Sequence, residues 1–189
     1  LTYNKLFRID IDTLEPVPDL VESYENLDDS TWVFHLKQGV MFHNGEEMTA
    51  EDVKASMEYA RNFVSSSKYT SFWTGIEVVD TYTVKITTDG AYALILNDLA
   101  ANGNTIVPKS LIDAGNDFNE NPIGTGPYIF KEWVLGDSLT FVKNENYFDK
   151  DHMPTITDMT WRVIPEGSSR TIALETGEVD LVIDVEAND

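Results

Sequence analysis

The chain has 189 residues, with 13 Lys and Arg against 33 Asp and Glu, a formal net charge of −20 and no cysteine. That length fits one domain, or one domain with a small satellite, and 42% apolar with 11% aromatic content is enough to bury a core, which excludes disorder. The charge excludes nucleic acid, whose phosphates must be met by clustered cations, and the missing cysteine excludes disulfide frameworks, thiolate zinc sites and cysteine nucleophiles.

In chain order, Tyr3, Leu6, Phe7 and Ile9 read as extended structure before a turn marked by Pro16 and Pro18. From Trp32 the side chains alternate: Trp32, Phe34 and Leu36 share one face and Val33, His35 and Lys37 the other, the period of a half-buried strand. Val40 and Phe42 predict a second short extended piece, ended by a turn at His43-Asn44-Gly45. Thr49 with Asp52 three residues on predicts a capped helix start, stapled by Met48 and Val53. Val53, Met57, Ala60 and Val64 recur at helical spacing, the helix running through Phe63 until Ser65-Ser66-Ser67 ends it.

Ile76 to Val79 and Tyr82 to Thr87 predict two strands joined at Asp80-Thr81. Ala91 to Ala100 is composed of helix formers, and Lys109 to Ala114 predicts a short helix opened by Pro108. After a Gly/Pro cluster from Asn121 to Pro127, a hairpin is expected from Tyr128–Val134 and Ser138–Lys143 around Leu135-Gly136-Asp137. Thr155 to Ile164 predicts a strand, Ser168 to Thr176 a helix stopped by Gly177, and Val179 to Val185 a closing strand. Interleaved strands and helices argue a mixed α/β class. No run approaches the roughly 18–20 apolar residues of a spanning helix, so no membrane-spanning segment is expected. Leu1 in place of Met, and an end just after an apolar run, are the marks expected of a piece of a longer protein.

The chemistry-bearing residues form no catalytic pattern. A glycosidase needs two carboxyls held across a bond, a separation that sequence does not supply, so the acids read first as solvated surface. His35, His43 and His152 show no metal-ligand spacing, no calcium loop is present, and no serine sits in a nucleophile elbow. No catalytic residue, metal site or cofactor is therefore expected. Gly124-Thr125-Gly126-Pro127 leads into a strand, unlike a phosphate cradle, and reads as a tight turn. Phe72-Trp73 follows the serine run and either packs or faces a ligand.

Three blocks carry a resemblance. The first is Pro18-Asp19-Leu20-Val21-Glu22-Ser23-Tyr24, then Trp32 to Gly45 and Met48 to Val53. The second is Asn121-Pro122-Ile123-Gly124-Thr125-Gly126-Pro127-Tyr128 through Trp133, then Gly136, then Asn144-Glu145-Asn146-Tyr147-Phe148. The third is Arg162 to Pro165 with Arg170, then Ala173 to Asp180 around Gly177. Together they resemble the extracellular solute-binding proteins of family 5, the peptide-, dipeptide- and nickel-binding receptors of ABC importers.

The resemblance implies a type II periplasmic-binding-protein fold of which this chain is most of the first lobe, the second lobe lying outside it. Residues 1–25 and 154–189 would belong to the lobe core near the hinge, and 26–153 to the family's extra subdomain. It implies a monomeric extracytoplasmic receptor, in the periplasm or lipid-anchored, with a peptide or other small solute as ligand and ABC permease subunits as partners. Family comparison points to Trp73, Asn102, Gly103 and Asn104 as ligand-facing, and assigns an architectural role to Asn121, Pro122, Gly124, Thr125, Gly126, Pro127, Tyr128 and Gly177. Nickel-binding members carry an arginine near the position of Asn104, absent here, which weakens a nickel reading. Two alternatives stand beside this one: an acidic glycoside hydrolase using paired carboxylates, and a solute-sensing domain of the same fold.

Overall fold

The alternation from Trp32 to Leu36 becomes the centre of the molecule. In a computed structural model describing residues 1–63, 68–183 and 185, it forms β4 (Thr31–Leu36), with Phe34 and Leu36 buried. β4 lies inside a four-stranded antiparallel sheet ordered β3 (Val21–Asp28), β4, β6 (Thr83–Thr88), β5 (Trp73–Asp80). Phe34 faces Val84 and Tyr24 across the sheet, and Phe7 meets it edge-on with ring centroids 5.9 Å apart. Helix α1 (Ala50–Ala60) covers this sheet with Ala50, Val53 and Met57, the apolar stripe that its helical period requires.

A two-stranded ribbon, β1 (Phe7–Ile9) with β2 (Pro16–Pro18), extends from the core. Beyond α1 and the sheet come α2 (Ile95–Leu99), a 3-10 turn at Asn102–Asn104 and α3 (Lys109–Asp113). A second, three-stranded antiparallel sheet, β7 (Tyr128–Val134), β8 (Ser138–Lys143), β9 (Asp158–Arg162), precedes α4 (Gly167–Glu175). The β7–β8 loop is the three residues expected, Gly136 taking the left-handed conformation at φ 77°. α4 ends as expected at Gly177, φ 76°: its N–H bonds the Leu174 carbonyl and Glu178 N–H bonds Ala173, a Schellman closure.

The structure corrects several expectations. Pro16 and Pro18 lie in β2, not in the turn, which spans Asp10 to Glu15; a two-stranded ribbon leaves one strand edge free, so a proline's missing N–H costs no ladder bond there. Helix α1 stops at Ala60, before Phe63: Asn62 N–H bonds the Tyr59 carbonyl and Phe63 N–H the Ala60 carbonyl, a tightened last turn in place of further helical bonds, while the Arg61 side chain reaches the Thr70 and Trp73 carbonyls. The serine run and Val64 lie outside the described residues. Met41, inside the second extended piece, forms only an isolated bridge with Glu47. Only Ile95–Leu99 of the Ala91 to Ala100 segment is helical, and the Thr155 to Ile164 strand contracts to Asp158–Arg162, the residues that find β8 partners.

Residues 179–183 and 185 form no strand: apolar alternation allows extension, but a strand needs a ladder partner, and none lies beside them among the described residues. Strand β3 was not foreseen. Only Val21 of its eight residues is buried, so it carries no period-two signature. The expected boundary after residue 25 falls within β3.

Candidate functional site

The Gly124–Tyr128 turn is gripped from several directions. Gly126 N–H donates to the Thr2 carbonyl at 2.9 Å and Tyr128 N–H to Leu1 at 3.3 Å, laying the first residues of the chain along the turn. Neither glycine has a positive φ. A Cβ on Gly124 would stand 2.5 Å from Tyr3 Cδ1, and one on Gly126 would stand 2.6 Å from the Thr2 carbonyl carbon. The glycines are there for close approach of a second backbone, not for turn geometry, which refines the tight-turn expectation.

From the other side His43 spans the same turn. Its N–H donates to the Gly124 carbonyl at 2.9 Å, and its Nε2 lies 2.9 Å from the Gly126 carbonyl while Gly124 N–H approaches Nδ1 at 3.5 Å. That pattern is a neutral imidazole donating from Nε2 and accepting at Nδ1. Burial, opposed in part by the Gly126 bond, pushes the His43 pKa below 6.5.

Thr125, fully buried, donates its hydroxyl to Asn4 Oδ1 at 3.0 Å. Asn4 Nδ2 donates to both Asp19 oxygens, at 3.2 and 3.1 Å, and to the Tyr147 hydroxyl at 3.3 Å; Asn144 Nδ2 donates to the Gly126 carbonyl. Burial raises the Asp19 pKa, and the Asn4 bonds oppose it. Asp19, Gly124–Tyr128 and Asn144–Tyr147, from two blocks far apart in sequence, thus meet in one buried network. Asn4, which joins them, had no signal of its own. Asn121 and Pro122 lead into the turn at the surface, and Tyr128, buried, donates its hydroxyl to the Ile156 carbonyl at 3.1 Å.

The ligand-facing candidates separate. Trp73 is 5% exposed at the start of β5; the Arg61 guanidinium lies 3.1 Å above its ring centroid and bonds its carbonyl, and its indole N–H has no partner among the described residues. Asn104 is 2% exposed and donates to the Tyr69 and Asp98 carbonyls at 2.9 and 2.7 Å, which fixes the loop after α2. Asn102 and Gly103 instead line an open cavity of about 280 Å3, together with Tyr3, Tyr59 and Phe118. Asn102 Oδ1 accepts from Lys5 Nζ at 3.1 Å. The rings of this cavity escaped the sequence reading, although Tyr59 and Phe63 stand four residues apart, the spacing of neighbours on a helix surface.

Among the described residues no group of three or more His, Asp or Glu could hold a metal, and no helix is long and apolar enough to cross a membrane.

Residues 15–189 match the family model described as bacterial extracellular solute-binding proteins, family 5 Middle. The glutathione-binding protein GsiB of Salmonella paratyphi A is 32% identical over 188 residues, covering 97% of this chain and 36% of that protein. The structure of NikA from Staphylococcus aureus in complex with Ni(L-His)2 superposes with a TM-score of 0.87 at 29% identity, over 99% of this chain and 39% of that one. The ABC transporter-associated periplasmic binding protein DppA from Helicobacter pylori, in complex with peptide STSA, gives 0.82 at 28% identity, over 94% and 40%. The chain thus spans little more than a third of the length of the curated relatives it matches. With matched sequence, shared periplasmic-binding-protein fold and the buried convergence of its motif blocks, the chain belongs to the bacterial extracellular solute-binding proteins of family 5.

Proposed function

We propose that this chain is the first lobe of the solute-binding component of an ABC importer, capturing a peptide or another small solute outside the cytoplasmic membrane and delivering it to permease subunits. The observation that carries the reading is the family match over residues 15–189 together with the near-complete superposition on receptors solved with a peptide and with nickel–histidine. Residues 1–25 and 154–189 serve as the core near a hinge, and 26–153 as the family's added subdomain, with β3 running across the join. Such a receptor needs no reaction. Its work is a higher affinity of the closed form for the solute, which shifts the population toward closure.

Within this lobe Asn102 and Gly103 contact the solute. Trp73 and Asn104 act one step behind, holding the loop and strand that present them. The test is thermal unfolding of the full-length receptor with di- to pentapeptides, glutathione and nickel–histidine. A saturating solute at a hundred times its Kd is expected to add roughly 3 kcal/mol. If none of these raises the midpoint, import of these solutes is ruled out.

A further inference from the structure

The 280 Å3 cavity has a composition at odds with the rest of the protein. In a chain with 33 acids and 13 Lys and Arg, no charged side chain lines it among the described residues. Its wall is aromatic: Tyr59 meets Phe63 edge-to-face at 5.0 Å and Phe118 edge-to-face at 6.0 Å. Ser56, on the floor, has its one donor committed: its hydroxyl donates to the Val107 carbonyl and accepts from Val107 N–H.

Among the described residues several polar groups around the cavity make no bond, the Tyr59 and Thr105 hydroxyls and, at the rim, two amide groups. Asn102 uses Oδ1 on Lys5, leaving its Nδ2 donor free, and Asn119 uses Nδ2 on Asp117, leaving its Oδ1 acceptor free. A donor and an acceptor beside an uncharged ring-lined hollow match a peptide unit carrying a neutral apolar side chain. A charged group would lose hydration against these rings with no charge among the lining side chains to replace it, the nearest ones, Lys5 and Asp117, being held at the rim by Asn102 and Asn119. The volume falls below the range of a drug-sized pocket and suits a single side chain rather than a whole peptide.

From this we infer that the cavity between α1, the Asn102–Asn104 turn and the Asp117–Asn119 turn is a subsite for one neutral aromatic residue of the solute, its amide held between Asn102 and Asn119. The inference rests on the receptor reading above and names the chemistry that this lobe selects.

The probe is N-acetylphenylalaninamide, titrated into the full-length receptor by calorimetry and saturation-transfer NMR, with N-acetylaspartate and N-acetyl-lysinamide as charged counterparts. The neutral ring is expected to bind and the charged compounds not to. Phe63→Ala, at a side chain 43% exposed, is expected to weaken binding roughly two- to tenfold by removing one wall. Ala60→Phe, which fills the hollow, is expected to abolish it, with circular dichroism reporting whether that variant folds. Failure of the wild type to bind the neutral probe, unchanged affinity in Phe63→Ala, or equal binding of the charged compounds overturns the subsite. The two readings fail separately: if peptides stabilise the receptor but rings confer no preference, only the subsite falls, whereas if no solute stabilises it, both fall.

Discussion

His43 is held neutral by burial between two glycine backbones, and protonation at Nδ1 would turn its approach to Gly124 N–H into a donor–donor contact. Its folded pKa lies below the ordinary 6.5, so between those two values the unfolded chain binds more protons and stability falls as pH falls. A His43→Gln receptor, which keeps a donor for the Gly126 carbonyl, is expected to show a flatter decline in unfolding midpoint between about pH 7.5 and 5.5. Superimposable profiles for variant and wild type would contradict this. At Gly126 the prediction is steric. Gly126→Ala must drive the first residues of the chain off the turn, at a cost of about 1–3 kcal/mol in urea unfolding, whereas a glycine needed only for turn flexibility would cost less. The sequence marked both glycines as necessary, but the reason lies in a chain segment more than a hundred residues away, which no local pattern encodes.

Among the elements, α1 was the most legible because its signals are local. Thr49 N–H and hydroxyl both donate to Asp52 Oδ2, at 2.8 and 2.9 Å, as the Thr-x-x-Asp spacing predicts. Less visible was a second duty: Asp52 Oδ1 accepts from Lys109 N–H at 2.8 Å, which pins the start of α3 to the start of α1. Asp52→Ala is therefore expected to cost roughly 2–3 kcal/mol and Thr49→Ala about 1 kcal/mol, compared by urea denaturation. Similar losses for the two would show that the bond to α3 contributes little. β3 stands at the opposite extreme. It is held in an edge position by backbone pairing to β4 while its side chains apart from Val21 and the Tyr24 ring lie open to water, so its existence depends more on a neighbour than on its own residues. The candidate site divides in the same way. Asn102 and Gly103 were named by resemblance, while Tyr59, Phe118 and Asn119 became visible only once α1, the 3-10 turn and the loop after α3 had been brought together.

At the scale of the whole chain, the main hydrophobic core is one cluster running from Leu6 to Ile106, and Phe34 lies fully buried within it. Phe34→Ala is expected to cost about 3–5 kcal/mol and to lower the midpoint of unfolding by circular dichroism; a change below 1 kcal/mol would mean that β4 is not the keystone of this core. The three-stranded sheet contributes nothing to that cluster. One of its faces sets Trp133, Leu139 and Trp161 in a row across β7, β8 and β9, with the two indoles 47% and 50% exposed. The four tryptophans of the chain are thus shared equally between the two larger sheets, and the halves differ in their access to water, since Trp73 and the indole nitrogen of Trp32 are buried. Each sheet therefore carries its own fluorophore pair: acrylamide should quench the emission of one pair and leave the other largely dark to it. Removing Trp133 and Trp161 by substitution with Phe would leave a spectrum that reports the four-stranded sheet alone, a built-in optical separation of the two layers during unfolding.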